Sequence, residues 1–126
     1  MKALIVDDSH FLREYMRLHL ERLGWVCTEA QDGLDGVSCM REAARSGDAF
    51  DLMLVDVNMP VLDGLACLKQ VQDERLAART RVMMVTTEAD NSFIEQALEY
   101  GADEFLMKPF TAESLRQKLM MLGLAA

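Results

Sequence analysis

The stretch DLMLVDVNMPVLDG, residues 51–64, decides the fold. Leu52 to Val55 is an unbroken apolar run between Asp51 and Asp56. A run this short, followed by turn residues, reads as a strand buried on both faces. Asn58 to Gly64, with Pro60 and the pair Asp63-Gly64, reads as a loop. Asp56 stands at the join. Burying its charge costs free energy unless a partner offsets it, so the question is what lies beside it.

Outward from this strand, short apolar runs alternate with segments of helical period. Ala3 to Val6 is a first strand that stops at Asp7-Asp8. Ser9 can cap a helix carrying Leu12, Met16, Leu20 and Leu23 on one face, and Gly24 can end it. Trp25 to Thr28 reads as the second strand. A helix from about Asp32 follows, with Leu34, Val37, Met40 and Ala44 on one side and Gly47 as its stop. Leu65, Leu68 and Val71 begin a third helix. Arg81 to Val85 is the fourth strand. Asp90 can cap a helix bearing Phe93, Ile94, Ala97 and Leu98, ended by Gly101. Glu104 to Met107 is a short fifth strand. Thr111 can cap a last helix with Leu115, Leu119 and Leu122 along one stripe.

Strand and helix therefore alternate five times. The expected class is α/β, a (βα)5 doubly wound, five-stranded parallel sheet of flavodoxin-like order 2-1-3-4-5. Ligands of such sheets bind beyond the carboxyl ends of the strands, at the switch point between strands 1 and 3. Residues 1–126 are expected to form one domain, with no output domain.

Composition excludes several classes. A net charge of −8 argues against direct binding of nucleic acid or an acidic membrane. No apolar stretch reaches transmembrane length, and MKALIVDD turns acidic too early for a signal peptide. Three cysteines without a CxxC pair suit free thiols in a reduced compartment, so the expected location is cytoplasmic.

The topology gathers Asp7 and Asp8, Asp56, Thr86 and Thr87, and Lys108 at one edge of the sheet. Three carboxylates there repel by about 3 kcal/mol per pair, at about 5 Å and an effective dielectric near 20. Either some carboxyls are protonated at neutral pH or a divalent cation binds. Hard oxygen ligands without Cys or His suit Mg²⁺, Mn²⁺ or Ca²⁺. Too few protein oxygens are in view for a closed calcium cage, so an open Mg²⁺ site fits better, with Mn²⁺ as a substitute. A carboxylate beside Mg²⁺ and a lysine is a setting for phosphoryl transfer. Single strand-end aspartates are as often caps or turn residues, and Asp63 and Asp90 are assigned there. Asp32, Asp35, Asp48 and Asp51 are expected to be solvated.

VDDS at 6–9, LVDVNMPVLDG at 54–64, VTTEA at 85–89 and MKPF at 107–110 together resemble the signature of response-regulator receiver domains. The resemblance spans the chain and is closest to single-domain regulators of the bacterial chemotaxis type. It implies that Asp56 accepts a phosphoryl group from the phosphohistidine of a sensor histidine kinase or phosphotransfer protein. Mg²⁺ would be held by Asp8, Asp56 and the backbone carbonyl of Asn58, with Asp7 acting through water. Lys108 would pair with the phosphoryl group, Thr86 would be the switch hydroxyl, and Phe105 the aromatic side chain that follows it. The surface of the fourth helix, fifth strand and fifth helix would meet a downstream protein. Asn58 and Glu88 resemble a pair that tunes dephosphorylation. Lys108-Pro109 is a candidate cis peptide. Such a protein catalyses its own phosphorylation and dephosphorylation and no other turnover.

Phe105 lacks the hydroxyl of the tyrosine usual in chemotaxis regulators, and Thr87 is bulkier than the common Ala or Gly. Other readings compete. A flavin binder needs a Gly/Ser/Thr-rich phosphate loop where this chain has DDSH. A phosphatase with an Asp nucleophile needs a second Asp where Asn58 stands. A phosphorylation-independent adaptor would have lost Asp56, Lys108 or an acidic ligand, and none is lost.

Overall fold

The computed structural model describes residues 1–87 and 90–125. Its elements run β1 (Lys2–Val6), α1 (His10–Arg22), β2 (Val26–Ala30), α2 (Gly33–Ser46), β3 (Leu52–Asp56), α3 (Gly64–Asp73), β4 (Arg81–Thr86), α4 (Asn91–Glu99), β5 (Glu104–Met107) and α5 (Ala112–Met121). The strands form one parallel sheet in the order β2-β1-β3-β4-β5. That is the doubly wound topology expected from the alternation.

Period-two alternation sorts the central strands onto two cores. Leu4, Val6, Met53, Val55, Val82 and Met84 face α2, α3 and α4, where Val37, Met40, Leu68, Val71 and Phe93 meet them. Ala3, Ile5, Leu52, Leu54, Met83 and Val85 face α1 and α5, against Met16, Leu20, Leu115 and Leu119. Burial of each such side chain is worth about 1.5–3 kcal/mol. Both faces being covered is why these strands are apolar throughout.

The helix ends follow local chemistry. Ser9, Asp32, Asp63, Asp90 and Thr111 each accept a hydrogen bond from a backbone N–H in the first turn of the following helix. Asp63 is thus the N-cap of α3 as well as a loop residue. Asp32 is a cap rather than a solvated side chain, and Asp51 accepts from the Lys2 N–H at 2.8 Å. Gly24, Gly47 and Gly101 take positive φ at the ends of α1, α2 and α4.

Two expectations shift. β2 starts at Val26 and extends to Ala30. The buried side of α2 is Gly33, Gly36, Val37, Met40 and Ala43, so Leu34 and Ala44 face outward. Gly36 sets this rotation: a Cβ there would lie 3.0 Å from both methyls of Val6. The helix sits too close to β1 for a side chain at position 36 itself. Leu23 and Leu98, expected on apolar helix faces, are also exposed. No helix of the described residues is long and apolar enough to cross a membrane.

Candidate phosphoryl-acceptor and metal site

Strand register places the acidic residues. Val6 pairs with Val55 across β1 and β3, so Asp7 and Asp56, the next residues, stand level. Asp56 pairs with Val85 on β4, and Thr86 pairs with Met107 on β5. Thr86 and Lys108 thus come to the same edge. One carboxylate oxygen from each of Asp7, Asp8 and Asp56 lies within 4.8 Å of the others. Asp7 and Asp56 are buried, and Asp8 is exposed. The site therefore has a closed floor and one side open to solvent.

Each group is held by something nameable. Lys108 Nζ donates to Asp56 Oδ1. The Lys108 N–H donates to the Thr86 carbonyl at 2.8 Å, which fixes the base of that side chain. The Lys108-Pro109 bond is cis. Asp7 Oδ1 accepts from the Ser9 N–H at 2.9 Å, and Arg13 Nη1 donates to the Asp7 carbonyl at 2.7 Å. Asp7 Oδ2 is buried and has no hydrogen-bond partner among the described residues. Burial pushes the Asp7 carboxyl up to about 6, the Ser9 N–H opposes this, and the charge of Asp56 adds to it.

The loop from β3 to α3 closes tightly over the strand end. The Gly64 N–H donates to the Val57 carbonyl at 2.9 Å. A Cβ on Gly64 would stand 2.4 Å from the Asp56 carbonyl oxygen, and one on Gly33 2.1 Å from the Leu62 carbonyl oxygen. Only glycine fits at either place. Asn58 is exposed, two residues beyond Asp56. Thr86 is buried. Phe105 is half-buried and packs edge-on against Phe93, with ring centroids 6.3 Å apart. Thr87 is exposed and lines an apolar cleft of about 430 Å³ with Phe11, Tyr15, Lys108 and Phe110. Glu88 lies outside the described residues.

Register thus brings Asp7, Asp8, Asp56, Thr86 and Lys108 to one edge. Sequence reading passed over three contributors: the Ser9 N–H, Arg13 and Gly64. Ser9 and Gly64 carried cap and turn signals, but nothing in Arg13 announces a contact with the Asp7 carbonyl.

The donor set suits a hard divalent cation. It is oxygen-only, it combines buried and open ligands, and it leaves a buried carboxylate oxygen without a donor. A cation there would offset the burial, and the lesser repulsion from Asp56, that raise Asp7.

A profile of the response regulator receiver domain matches residues 3–120. The chemotaxis protein CheY-3 of Vibrio cholerae is 37% identical over 120 residues, covering 94% of this chain and 88% of that protein. CheY of Pseudomonas aeruginosa is 36% identical, covering 94% and 93%. Among solved structures, Vibrio cholerae CheY4 superposes with a TM-score of 0.85 at 32% identity, over 95% of this chain and 96% of that one. A CheX–CheY–BeF3–Mg²⁺ complex from Borrelia burgdorferi gives 0.88 at 25% identity, over 98% and 89%. The chain belongs to the response regulator receiver domain family and is CheY-like, a receiver of two-component signalling.

Proposed function

We propose that Asp56 accepts a phosphoryl group from the phosphohistidine of a sensor histidine kinase or phosphotransfer protein, and that residues 1–126 act as one receiver unit in the cytoplasm. The observation that carries this is the cluster of Asp7, Asp8 and Asp56 oxygens within 4.8 Å, with Lys108 on Asp56, at the switch point of the sheet. In the transfer, an Asp56 carboxylate oxygen attacks phosphorus and the phosphorus–nitrogen bond to histidine breaks. Lys108 is placed to neutralise a phosphoryl oxygen once the new bond forms. Thr86 lies at the end of β4, where its hydroxyl can donate to another.

Asp8, Asp56 and the Asn58 carbonyl would hold Mg²⁺, with Asp7 reaching it through water. The ion would neutralise charge on the phosphoryl oxygens. Mn²⁺ offers similar ligand chemistry. The Borrelia burgdorferi relative was solved with BeF3 and Mg²⁺, which supports the same chemistry here.

Phosphorylation adds nearly two negative charges at this edge. The Thr86 hydroxyl then turns toward the phosphoryl group, and the half-buried Phe105 ring moves into the space it leaves. The α4-β5-α5 face changes with it and meets a downstream protein. Leu98 on α4, Met107 on β5 and Met120 and Met121 on α5 are exposed apolar side chains on that face, which supports its role as a partner surface. Asn58 and Glu88 tune self-dephosphorylation, so the chain acts on its own Asp56 and is otherwise no enzyme. Intact mass after treatment with a small phosphodonor tests this. The expected result is one added phosphoryl group that requires Mg²⁺ and is absent in Asp56→Asn. An unmodified parent protein would refute it.

A further inference from the structure

Arg75, Arg79 and Arg81 line a single cleft of about 580 Å³, between the C-terminal ends of α3 and α4. It lies at the opposite edge of the sheet from the acidic site. Arg81 opens β4, and Asp56 is level with Val85, so about 13 Å of strand separates them.

The arginines of this cleft differ from most of the others. Arg13, Arg17, Arg41 and Arg45 each sit against a glutamate. The side chains of Arg75, Arg79 and Arg81 have no ion-pair or hydrogen-bond partner among the described residues. Asp103 is the one carboxylate lining the cleft, and its Oδ2 is engaged by the Val82 N–H at 2.8 Å. A chain of net charge −8 thus gathers three guanidiniums against one carboxylate around one concavity. Arg75 also takes φ +57, a left-handed position just after α3 where glycine is the easier residue.

The rest of the lining mixes the polar Gln72 and Thr80 with Ala77, Ala78 and the Tyr100 ring. The half-buried Tyr100 supplies an aromatic wall, and Leu68, Val71 and Val82 lie almost wholly buried beneath it. The volume falls in the range of small-molecule sites. Guanidinium forks match phosphate oxygens two at a time, and flat rings pack on apolar and aromatic walls. We propose that this cleft binds a nucleoside di- or triphosphate, with its phosphates on Arg75, Arg79 and Arg81 and its base against Tyr100. The site is separate from Asp56 and does not depend on the chemistry there.

Titration calorimetry in EDTA, with ATP, tripolyphosphate, adenosine and a glutamate-rich peptide as probes, tests the assignment. ATP is expected to bind saturably at one site. Arg79→Gln/Arg81→Gln should weaken it about tenfold or more, the loss of charge-assisted phosphate contacts. Asp56→Asn should leave it unchanged. Tripolyphosphate should bind more weakly than ATP, and adenosine more weakly still. Equal binding of tripolyphosphate and ATP would overturn the role given to the walls. No saturable ATP binding at millimolar concentration, or unchanged binding in the double variant, would overturn the site. Binding of the peptide but not ATP would reassign the cleft to an acidic protein segment. The substituted side chains are exposed and unpaired, so both variants should fold, and their melting curves check this.

Discussion

Replacing Asp7 with Asn should stabilise the metal-free protein. Asp7 is buried within 4.8 Å of two other carboxylates, and its second oxygen has no donor. Its carboxyl is pushed from the ordinary 3.8 up to about 6 by burial first, with Asp56 contributing. Two pH units correspond to about 3 kcal/mol between the charged and neutral forms. Direct repulsion from one neighbour at this distance is also about 3 kcal/mol at an effective dielectric near 20. The asparagine carbonyl can still accept from the Ser9 N–H, and its NH2 can donate toward Asp8 or Asp56. Allowing for imperfect geometry, the expected gain is about 2 kcal/mol, or about 6–8 °C in Tm for a chain of this size.

The pH dependence has a definite sign. A raised carboxyl pKa favours the fold while the group is protonated. That contribution is complete below 3.8 and is lost as pH rises through about 6. The advantage of Asp7→Asn should therefore be near zero at pH 4 and reach its plateau above pH 7. Urea denaturation in EDTA, at several pH values, measures it. Repeating the series in millimolar Mg²⁺ should shrink the difference, because a bound cation neutralises the cluster. A variant less stable than the parent at pH 8, or a difference that ignores pH, would refute the reasoning.

Lys108→Ala removes the cation from buried Asp56, and because Lys108 is partly exposed the loss should be about 2 kcal/mol in EDTA, smaller in Mg²⁺; equilibrium denaturation reads both. Gly64→Ala drives a Cβ into the Asp56 carbonyl and Val57 Cα, at 2.4 and 2.8 Å, and should cost about 1–3 kcal/mol while slowing phosphorylation, measured by denaturation and by the rate of mass change. Burial pushes the Cys67 thiol up to about 12 and Cys27 up to about 11, while Cys39, also raised, is only half-buried. A thiol reagent at pH 8 should therefore modify native protein first at Cys39 and reach the other two on unfolding; peptide mapping that shows equal labelling of all three in the native state would contradict this.

The fold was legible because its strongest signals are local and consistent. Strands buried on both faces are apolar runs, and LMLV and VMMV leave little else to read. Ser9, Asp90, Thr111 and the terminal glycines marked helix ends through capping chemistry that needs no tertiary knowledge. The rotation of α2 was not legible. Periodicity is judged on large apolar residues, whereas this helix packs Gly33 against Leu62 and Gly36 against Val6 and leaves Leu34 outside. The acidic site was legible once topology made strand ends into neighbours. Its supports were less so, because the Ser9 N–H on Asp7 and the Arg13 contact with the Asp7 carbonyl depend on the path of a loop. The arginine cleft was hidden for a related reason: Arg75, Arg79 and Arg81 look like ordinary surface charge until the structure shows them around one concavity without partners.

The most direct measurement locates the acyl phosphate itself. The protein is phosphorylated with a small phosphodonor in Mg²⁺, reduced with borohydride, digested and sequenced by tandem mass spectrometry. Reduction turns a phosphorylated aspartate into homoserine. The account predicts homoserine at position 56 alone, lost when Mg²⁺ is withheld. Homoserine at Asp7, Asp8 or Asp63, or at no position, would contradict it.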